Sequence, residues 1–210
     1  MKKFQMKTKR AIKFPVKKTI QSSLQETDEV ARLTFSDAAM VKMLYLIMKC
    51  PKEVGWQGTV EKVGKSKYFI DDIFTYPQAT SSASIWIDDL RFGKWQAGIC
   101  LEDPEYFDSI RFHGHSHVNM ATFASCTDRE LQDSWIELLQ ENQFYIFLII
   151  NKRAEFWCKI ADREDGVIYK KAVIDSESLS IQEIIEDYNA NVDTIKKGNE
   201  DGYEQILRVF

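Results

Sequence analysis

All three histidines of the 210-residue chain lie in one short segment, at positions 113, 115 and 117. The preceding Ile110, Arg111 and Phe112 alternate between apolar and polar side chains, which is typical of a β-strand. Successive side chains of a strand point to opposite faces. His115 and His117 are therefore predicted to face the same way, with Cβ atoms roughly 7 Å apart. Two imidazole groups at that separation can bind one metal ion.

A carboxylate follows the histidines along the chain, at Asp128. Thr127 and Glu130 form a T-x-x-E pattern ahead of an apolar run, which predicts a capping box and the start of a helix. Asp128 is then expected in the first helical turn, where the positive end of the helix dipole favours a carboxylate. Two neutral imidazoles and one carboxylate leave a fourth position on zinc open, as in catalytic zinc sites. The three residue types therefore predict hydrolytic chemistry.

The spacing of these residues resembles a known motif. His115-Ser116-His117-Val118, followed after six residues by Ser125-Cys126-Thr127-Asp128, is similar to the H-[ST]-H-P-x6-S-x-x-D signature of the JAMM (MPN+, JAB-domain) zinc metalloproteases. Val118 stands where the family has proline. The resemblance, to a prokaryotic or phage-type member, implies that His115, His117 and Asp128 bind Zn²⁺. It also implies that Ser125 donates a hydrogen bond to the developing oxyanion.

The family has a catalytic glutamate upstream of this motif, shortly before glycines at the start of a strand. The segment 51–58, PKEVGWQG, resembles that region, so Glu53 is the expected general base. The gap to the first glycine is one residue shorter than in the family, which keeps Glu61 as an alternative. Without the resemblance, Glu53 would be interpreted as an exposed glutamate at a helix end. His113 matches no motif position and is interpreted as a strand-end residue or a residue that supports the ligands.

Hydrophobic periodicity predicts strands and helices in alternation, with helices from Ser36 to Cys50 and from Thr127 to Leu139. The predicted strands cover residues 30–35, 56–63, 68–76, 144–151, 154–161 and 167–174. Residues 77–108 correspond to a substrate-facing insertion in the family. Their aromatic residues Trp86, Phe92 and Trp95 are interpreted as core, with substrate contact as the alternative. The predicted α/β (α+β) fold is a mixed, largely antiparallel curved sheet flanked by helices, the cytidine-deaminase-like MPN/JAB architecture.

Charge and composition divide the chain into three predicted segments: a basic arm over residues 1–29, a metalloprotease-like domain over 30–175 and an acidic helical extension over 176–210. The arm contains an alternating patch at Ile12–Val16 that predicts an edge strand, and the extension contains a candidate helix at Ser180–Ile195. The net charge is −4. A solvated arm is the expected state, and nucleic-acid binding is not expected.

Composition also predicts where the protein is found. No stretch approaches the ~18 apolar residues of a membrane span, and the N-terminus lacks the apolar core of a secretory signal. The chain has four cysteines and no C-x-x-C pair, which favours reduced thiols. We therefore expect a cytoplasmic protein with no membrane association.

The leading functional hypothesis is a zinc-dependent metallopeptidase or isopeptidase that hydrolyses an amide bond. The resemblance implies a protein or peptide substrate, cleaved at the C-terminal tail of a ubiquitin-like or sulfur-carrier-like protein. One alternative is a catalytically silent MPN-type module that binds proteins. Another is a non-haem iron enzyme, because two histidines and a carboxylate also form the facial triad of iron oxygenases. The sequence leaves the oligomeric state open.

Overall fold

A computed structural model describes residues 24–81 and 84–178 of the chain. The strands are β1 (Gln25–Phe35), β2 (Gly55–Gly64), β3 (Lys67–Thr75), β4 (Ala79–Thr80), β5 (Ile85–Trp86), β6 (Ile110–Ser116), β7 (Phe144–Ile150), β8 (Phe156–Asp162) and β9 (Val167–Ser176). The helices are α1 (Asp37–Lys49), α2 (Asp89–Glu102), α3 (Pro104–Ser109) and α4 (Cys126–Leu138).

Seven of these strands close into a barrel in the order β1-β3-β2-β6-β7-β8-β9, with β9 paired to β1. β1 is parallel to both of its neighbours and β6 is parallel to β7, whereas the other neighbours are antiparallel. β4 and β5 form a separate two-stranded sheet. The predicted largely antiparallel curved sheet flanked by helices, of the MPN/JAB type, is therefore wrong, because the strands close into a barrel. β1 pairs with β3 on one side and with β9 on the other, so no strand of the barrel is left with an exposed edge.

Helix α1 and the inward faces of the strands form the main hydrophobic core. Ser36 caps α1, because its Oγ atom accepts a hydrogen bond from the backbone of Ala39 at 3.1 Å. The helix ends at Lys49, before Pro51, as predicted. Its apolar residues recur at helical spacing and pack into the core: Ala39, Met40, Met43 and Ile47. Strand residues supply most of the largest buried side chains of the same core: Leu33, Phe35, Trp56, Tyr68, Ile70, Ile73, Phe112, Ile146, Leu148 and Tyr169.

Helix α4 covers the outer face of the barrel at β7 and β8. β7 is buried along its whole length, which explains why its sequence is a continuous apolar run rather than an alternation. Tyr145 and Phe147 of β7 form a second cluster with Ile136 of α4 and Ala161 of β8. Trp135 packs edge-on against Tyr145, with ring centroids 5.2 Å apart. This layer holds α4 against the sheet next to β6.

The segment between β3 and β6 contains two helices that periodicity did not predict, α2 and α3. Asp88 and Asp103 cap them by accepting backbone hydrogen bonds in their first turns. Phe92 is buried, which confirms its interpretation as core, and its ring stacks on that of Trp95 at 5.6 Å. Trp95 is only half-buried, so its assignment to the core is confirmed only in part. Trp86 is 70% exposed, so its assignment to the core is wrong.

Strand β1 begins earlier than the predicted start at Val30, and includes residues assigned to the basic arm. Its first residues are mostly exposed and polar, so hydrophobic alternation gave no signal for them. They are held by backbone pairing with β9 and by ion pairs with its lysines. Lys170 lies 2.6 Å from Glu26, and Lys171 lies 2.8 Å from Asp28. β9 itself extends to Ser176, just past the predicted domain boundary.

Two predicted elements lie outside the described residues: the edge strand at residues 12–16 and the acidic helix at residues 180–195. Over residues 24–81 and 84–178, every helix is too short or too polar to cross a membrane.

Candidate metal centre

Strand β6 presents the three histidines on one side. Phe112 points into the barrel core, and the alternation of the strand turns His113 and His115 to the outer face. Gly114 lies against Trp56, so closely that a Cβ atom on this glycine would be 2.3 Å from the indole nitrogen. His117 follows directly after the strand, and its ring centroid lies 5.0 Å from that of His115. The prediction that His115 and His117 face the same way is confirmed.

Asp128 is held by the cap of helix α4. Its backbone N–H donates to Ser125 Oγ at 3.1 Å, and its Oδ2 atom accepts from the backbone N–H of Ser125 at 2.8 Å. These two bonds form a reciprocal capping box. The predicted box of Thr127 and Glu130 is wrong, because the helix begins at Cys126 and Ser125 is the capping residue. The position of Asp128 in the first turn is as predicted.

The cap leaves one oxygen of Asp128 facing the histidines. Oδ1 lies 3.6 Å from His115 Nε2. His117 is oriented by a different contact, since its Nδ1 lies 2.8 Å from the carbonyl oxygen of Ala121. A carbonyl oxygen only accepts hydrogen bonds, so Nδ1 carries the proton and Nε2 keeps its lone pair. This arrangement is the usual one for a metal-binding histidine.

Three ligand atoms from His115, His117 and Asp128 lie within 4.8 Å of one another. Ligand atoms about 2.0–2.2 Å from a tetrahedral zinc ion are roughly 3.3–3.6 Å apart, so the 3.6 Å separation of His115 and Asp128 is already close to that geometry. Three protein ligands leave one position of such an ion open. The donor set is therefore compatible with a divalent cation such as Zn²⁺.

The charge states also suit a divalent cation. Burial holds the pKa of His115 well below its usual range, against the opposing effect of Asp128. Burial acts to raise the pKa of Asp128, but the hydrogen bonds from Ser125 and the nearby His115 outweigh it and lower this pKa overall. At neutral pH His115 is therefore a neutral imidazole beside an ionised carboxylate. Both are in the form that binds metal without first losing a proton.

Glu53 enters the same site from the start of β2. Gly55 pairs with His115 across the antiparallel β2–β6 pair, and the backbone N–H of Ser116 donates to the Val54 carbonyl at 2.9 Å. The same register places Glu53 opposite His117. Glu53 is only 5% exposed. Its pKa is raised, chiefly by burial and further by Asp128, while His117 partly offsets the shift.

Glu61, the alternative base, lies far along β2 from Glu53. It is exposed and pairs with Phe69 of β3, away from the histidines. Ser125 lines the cleft together with Glu53. Glu61 therefore lies apart from the cleft. The structure brings together the other five residues singled out from the sequence: Glu53, His115, His117, Ser125 and Asp128.

These residues line an open cleft of about 380 Å³ between β6, the start of α4 and the β4–β5 sheet. Ile85 and Ile87 form part of one wall, and Phe123 and Met120 form part of another. Phe123 is 61% exposed and lies at the mouth of the cleft. The cleft therefore combines a polar floor with an apolar rim.

His113 lies in the floor of the cleft, next to the ligand set. It is buried, and its Nε2 atom is hydrogen bonded to the hydroxyl group of Tyr76 at 3.0 Å. Burial, reinforced by His115, lowers the pKa of His113 to about 3. This geometry agrees with its interpretation as a supporting residue. Tyr76 was not predicted as a site residue, because it is the last residue of a predicted strand and has no motif around it.

A scan against protein-family models finds no match for the chain, and a search of curated proteins finds none either. The resemblance to the JAMM signature therefore rests on the motif residues His115, His117, Ser125 and Asp128.

Proposed function

We propose that this protein is a zinc-dependent hydrolase that cleaves an amide bond, a peptidase or isopeptidase of the kind that the JAMM resemblance implies. The observation that supports it best is the meeting of Glu53 with His115, His117 and Asp128 in one cleft. An H-x-H pair in a strand is common, but a buried glutamate facing it is not required by the fold. Buried ionisable groups with shifted pKa values are concentrated at functional sites, since their burial is otherwise unfavourable.

The proposed mechanism assigns a distinct task to each residue. His115, His117 and Asp128 would hold Zn²⁺, which would supply the Lewis acidity that polarises a carbonyl group and makes water more acidic. Glu53 takes a proton from water on its carboxylate and delivers it to the leaving amine nitrogen. Its raised pKa suits both halves of that transfer.

Ser125 has two tasks in this proposal. Its Oγ atom accepts the hydrogen bond of the Asp128 backbone, which leaves its O–H group available to donate toward the cleft. A donor fixed by a helix cap is already in place when negative charge develops on the substrate oxygen. Ser125 therefore stabilises the oxyanion and also holds a ligand in position.

A protein or peptide substrate is proposed because the cleft is open and its rim is apolar, with Ile85, Ile87 and Phe123 available to a bound chain. The resemblance points to the C-terminal tail of a ubiquitin-like or sulfur-carrier-like protein. The four cysteines include no C-x-x-C pair, a pattern that favours reduced thiols. We accordingly place the protein in the cytoplasm.

Zinc content tests the first half of the proposal. The purified protein is expected to hold about one zinc ion per chain, and Asp128→Ala is expected to lose it. Asp133→Ala is the matched control, because Asp133 lies on the same helix but pairs with Lys159 outside the cleft. Zinc retained equally by all three proteins would refute the ligand set.

Amide hydrolysis tests the second half, with the zinc-loaded protein and fusions of a ubiquitin-like or sulfur-carrier protein whose C-terminal tail continues into a reporter peptide. Release of the reporter supports the hydrolase. A zinc-replete protein that cleaves no such fusion would favour the protein-binding module instead. Oxygen consumption by the iron-loaded protein, without hydrolysis by the zinc form, would favour the iron enzyme.

A further inference from the structure

Gln132 is a buried polar residue close to the metal centre. It lies on α4 one turn after Asp128, on the same side of the helix, and is only 4% exposed. Its Oε1 atom is buried and makes no hydrogen bond with any group in residues 24–81 and 84–178. A buried carbonyl oxygen without a partner is unfavourable for folding, so this atom calls for an explanation.

A small cavity of about 10 Å³ lies beside Gln132. That is about the volume in which one water molecule fits, provided that it finds two to four polar partners. Gln132, His113, His115 and Asp128 all border the cavity. The rest of its wall is apolar and consists of Leu131, Phe147, Leu148 and Ile149. The cavity is therefore the right size and polarity for a single bound water.

His115 also borders this cavity, and one of its ring nitrogens needs a hydrogen-bond acceptor. Its Nε2 atom faces Asp128 Oδ1, so the opposite ring nitrogen, Nδ1, must carry the proton when Nε2 binds a metal ion. The corresponding proton of His117 is received by the Ala121 carbonyl. In the described part of the chain, no protein group accepts a hydrogen bond from the His115 ring. Within the described residues, a hydrogen bond to the protein thus orients the His117 ring, but no such bond orients the His115 ring.

We propose that Gln132 is a positioning residue of the metal centre, linked to His115 through one buried water. The water donates a hydrogen bond to Gln132 Oε1 and accepts one from His115 Nδ1–H. This link satisfies the unpaired carbonyl oxygen and fixes the tautomer in which His115 Nε2 is free to bind metal. The inference rests on the proposed function in one respect, namely that His115 is a metal ligand.

Gln132 has a second role, packing against the sheet, and the test must separate the two. Gln132→Leu keeps a side chain of similar size but removes the carbonyl oxygen. Gln132→Glu restores an acceptor oxygen at the same place. Gln140→Leu is the matched control, because it makes the same chemical change at an exposed position just past α4.

The measurement is the tautomer of each histidine, obtained by NMR of protein labelled with ¹⁵N in the imidazole rings. The chain has only 3 histidines, so each ring can be assigned in the metal-free protein. In the wild type, His115 is expected as the Nδ1–H tautomer, with a proton that exchanges slowly with solvent. In Gln132→Leu the Nε2–H tautomer should appear and the exchange should be fast. Gln132→Glu and Gln140→Leu should resemble the wild type.

Zinc affinity is the second readout. Loss of a group that orients a metal-binding histidine typically weakens metal binding 10- to 100-fold. We expect a loss in that range for Gln132→Leu, and at most a few-fold change for Gln132→Glu. A zinc-binding wild type with an unaltered tautomer and affinity in Gln132→Leu would overturn the inference and leave the proposed function intact.

Failure of the proposed function itself gives a different result. If the wild type binds no zinc at all, the tautomer of His115 in the metal-free protein still decides the role of Gln132. A wild-type His115 in the Nε2–H form would overturn the inference without any variant, so the test does not depend on whether Gln132→Leu folds.

Discussion

The hydroxyl oxygen of Tyr76 occupies the space that a side chain at position 55 would need. A Cβ atom on Gly55 would lie 2.1 Å from that oxygen, far inside van der Waals contact. The same hydroxyl group is hydrogen bonded to His113 Nε2. The glycine of β2 therefore makes room for the residue that holds a histidine of β6 in the floor of the cleft.

Gly55→Ala should destabilise the protein by about 1–3 kcal/mol, because the added methyl group must displace Tyr76 from a closely packed site. Gly98→Ala is the control. Gly98 lies in α2 with no neighbouring atom within 4 Å of its would-be Cβ, so alanine should stabilise the protein by about 0.5–1 kcal/mol. Urea denaturation of both variants gives the two values. Equal stabilities for Gly55→Ala and the wild type would show that the Tyr76 side chain can move away from position 55 without loss of stability.

Glu53→Gln should lower kcat for amide hydrolysis by about 10²- to 10⁴-fold, because glutamine cannot take up or deliver the proton. Zinc content should stay near that of the wild type, since Glu53 is outside the ligand set. Glu61→Gln is the matched substitution at an exposed position on the same strand, and should leave kcat unchanged. Full activity of Glu53→Gln, or a loss of activity in Glu61→Gln, would assign the base to another residue.

The same substitution should have an effect on stability that depends on pH. Folding raises the pKa of Glu53 above its ordinary value of 4.5, so the folded state holds this proton more tightly than the unfolded state does. Below pH 4.5 the group is protonated in both states and burial costs nothing extra. As the pH rises through the raised pKa, the folded state must bury a charge, and stability falls.

Glu53→Gln never carries that charge. In the metal-free protein it should therefore be more stable than the wild type near neutral pH, with an advantage that shrinks toward zero as the pH falls below 4.5. Denaturation of both proteins across that range measures the difference. A stability difference that does not change with pH would mean that burial does not raise the pKa of Glu53.

Ser125→Ala should weaken both the helix and the metal site. Loss of the cap is expected to cost about 1 kcal/mol of the free energy of unfolding. Zinc affinity should also fall, since the cap orients Asp128. Ser36→Ala is the matched control, because Ser36 caps α1 through the same kind of bond, at 3.1 Å to the backbone of Ala39. It should lose similar stability and keep its zinc affinity, and isothermal titration with zinc distinguishes the two variants.

The cluster of candidate metal ligands was predictable because its parts are close together in the sequence. His115 and His117 share a face by the alternation of one strand, and Asp128 occupies the first turn of the next helix. Both relations follow from a few neighbouring residues. Gln132 lies four residues after Asp128 in the same helix, so helical spacing alone puts both side chains on one face. Nothing in the sequence indicates that the carbonyl oxygen of Gln132 lacks a hydrogen-bond partner. Tyr76 follows β3 and reaches His113 of β6 across the intervening strand β2, where Gly55 leaves room for it.

The closure of the barrel was not predictable, because it depends on strands that are far apart in the sequence. It depends on β1 pairing with β9, which joins Gln25 to Val167 and Phe35 to Ser176. Hydrophobic periodicity describes which face of a strand is buried, but not which distant strand lies beside it. The helix α2 was missed because its apolar face is weak and because Gly93 and Gly98 lie inside it, where glycine is unfavourable.

The parallel contact of β1 with β9 has a mechanical consequence. Handles attached ahead of Gln25 and beyond Ser176 would pull the two neighbouring strands in opposite directions along their length. The hydrogen bonds between them would then share the load and break together, whereas a hairpin pulled at its open end comes apart one bond at a time. Single-molecule stretching between such handles should accordingly show one high rupture force for the described domain, without a series of small steps.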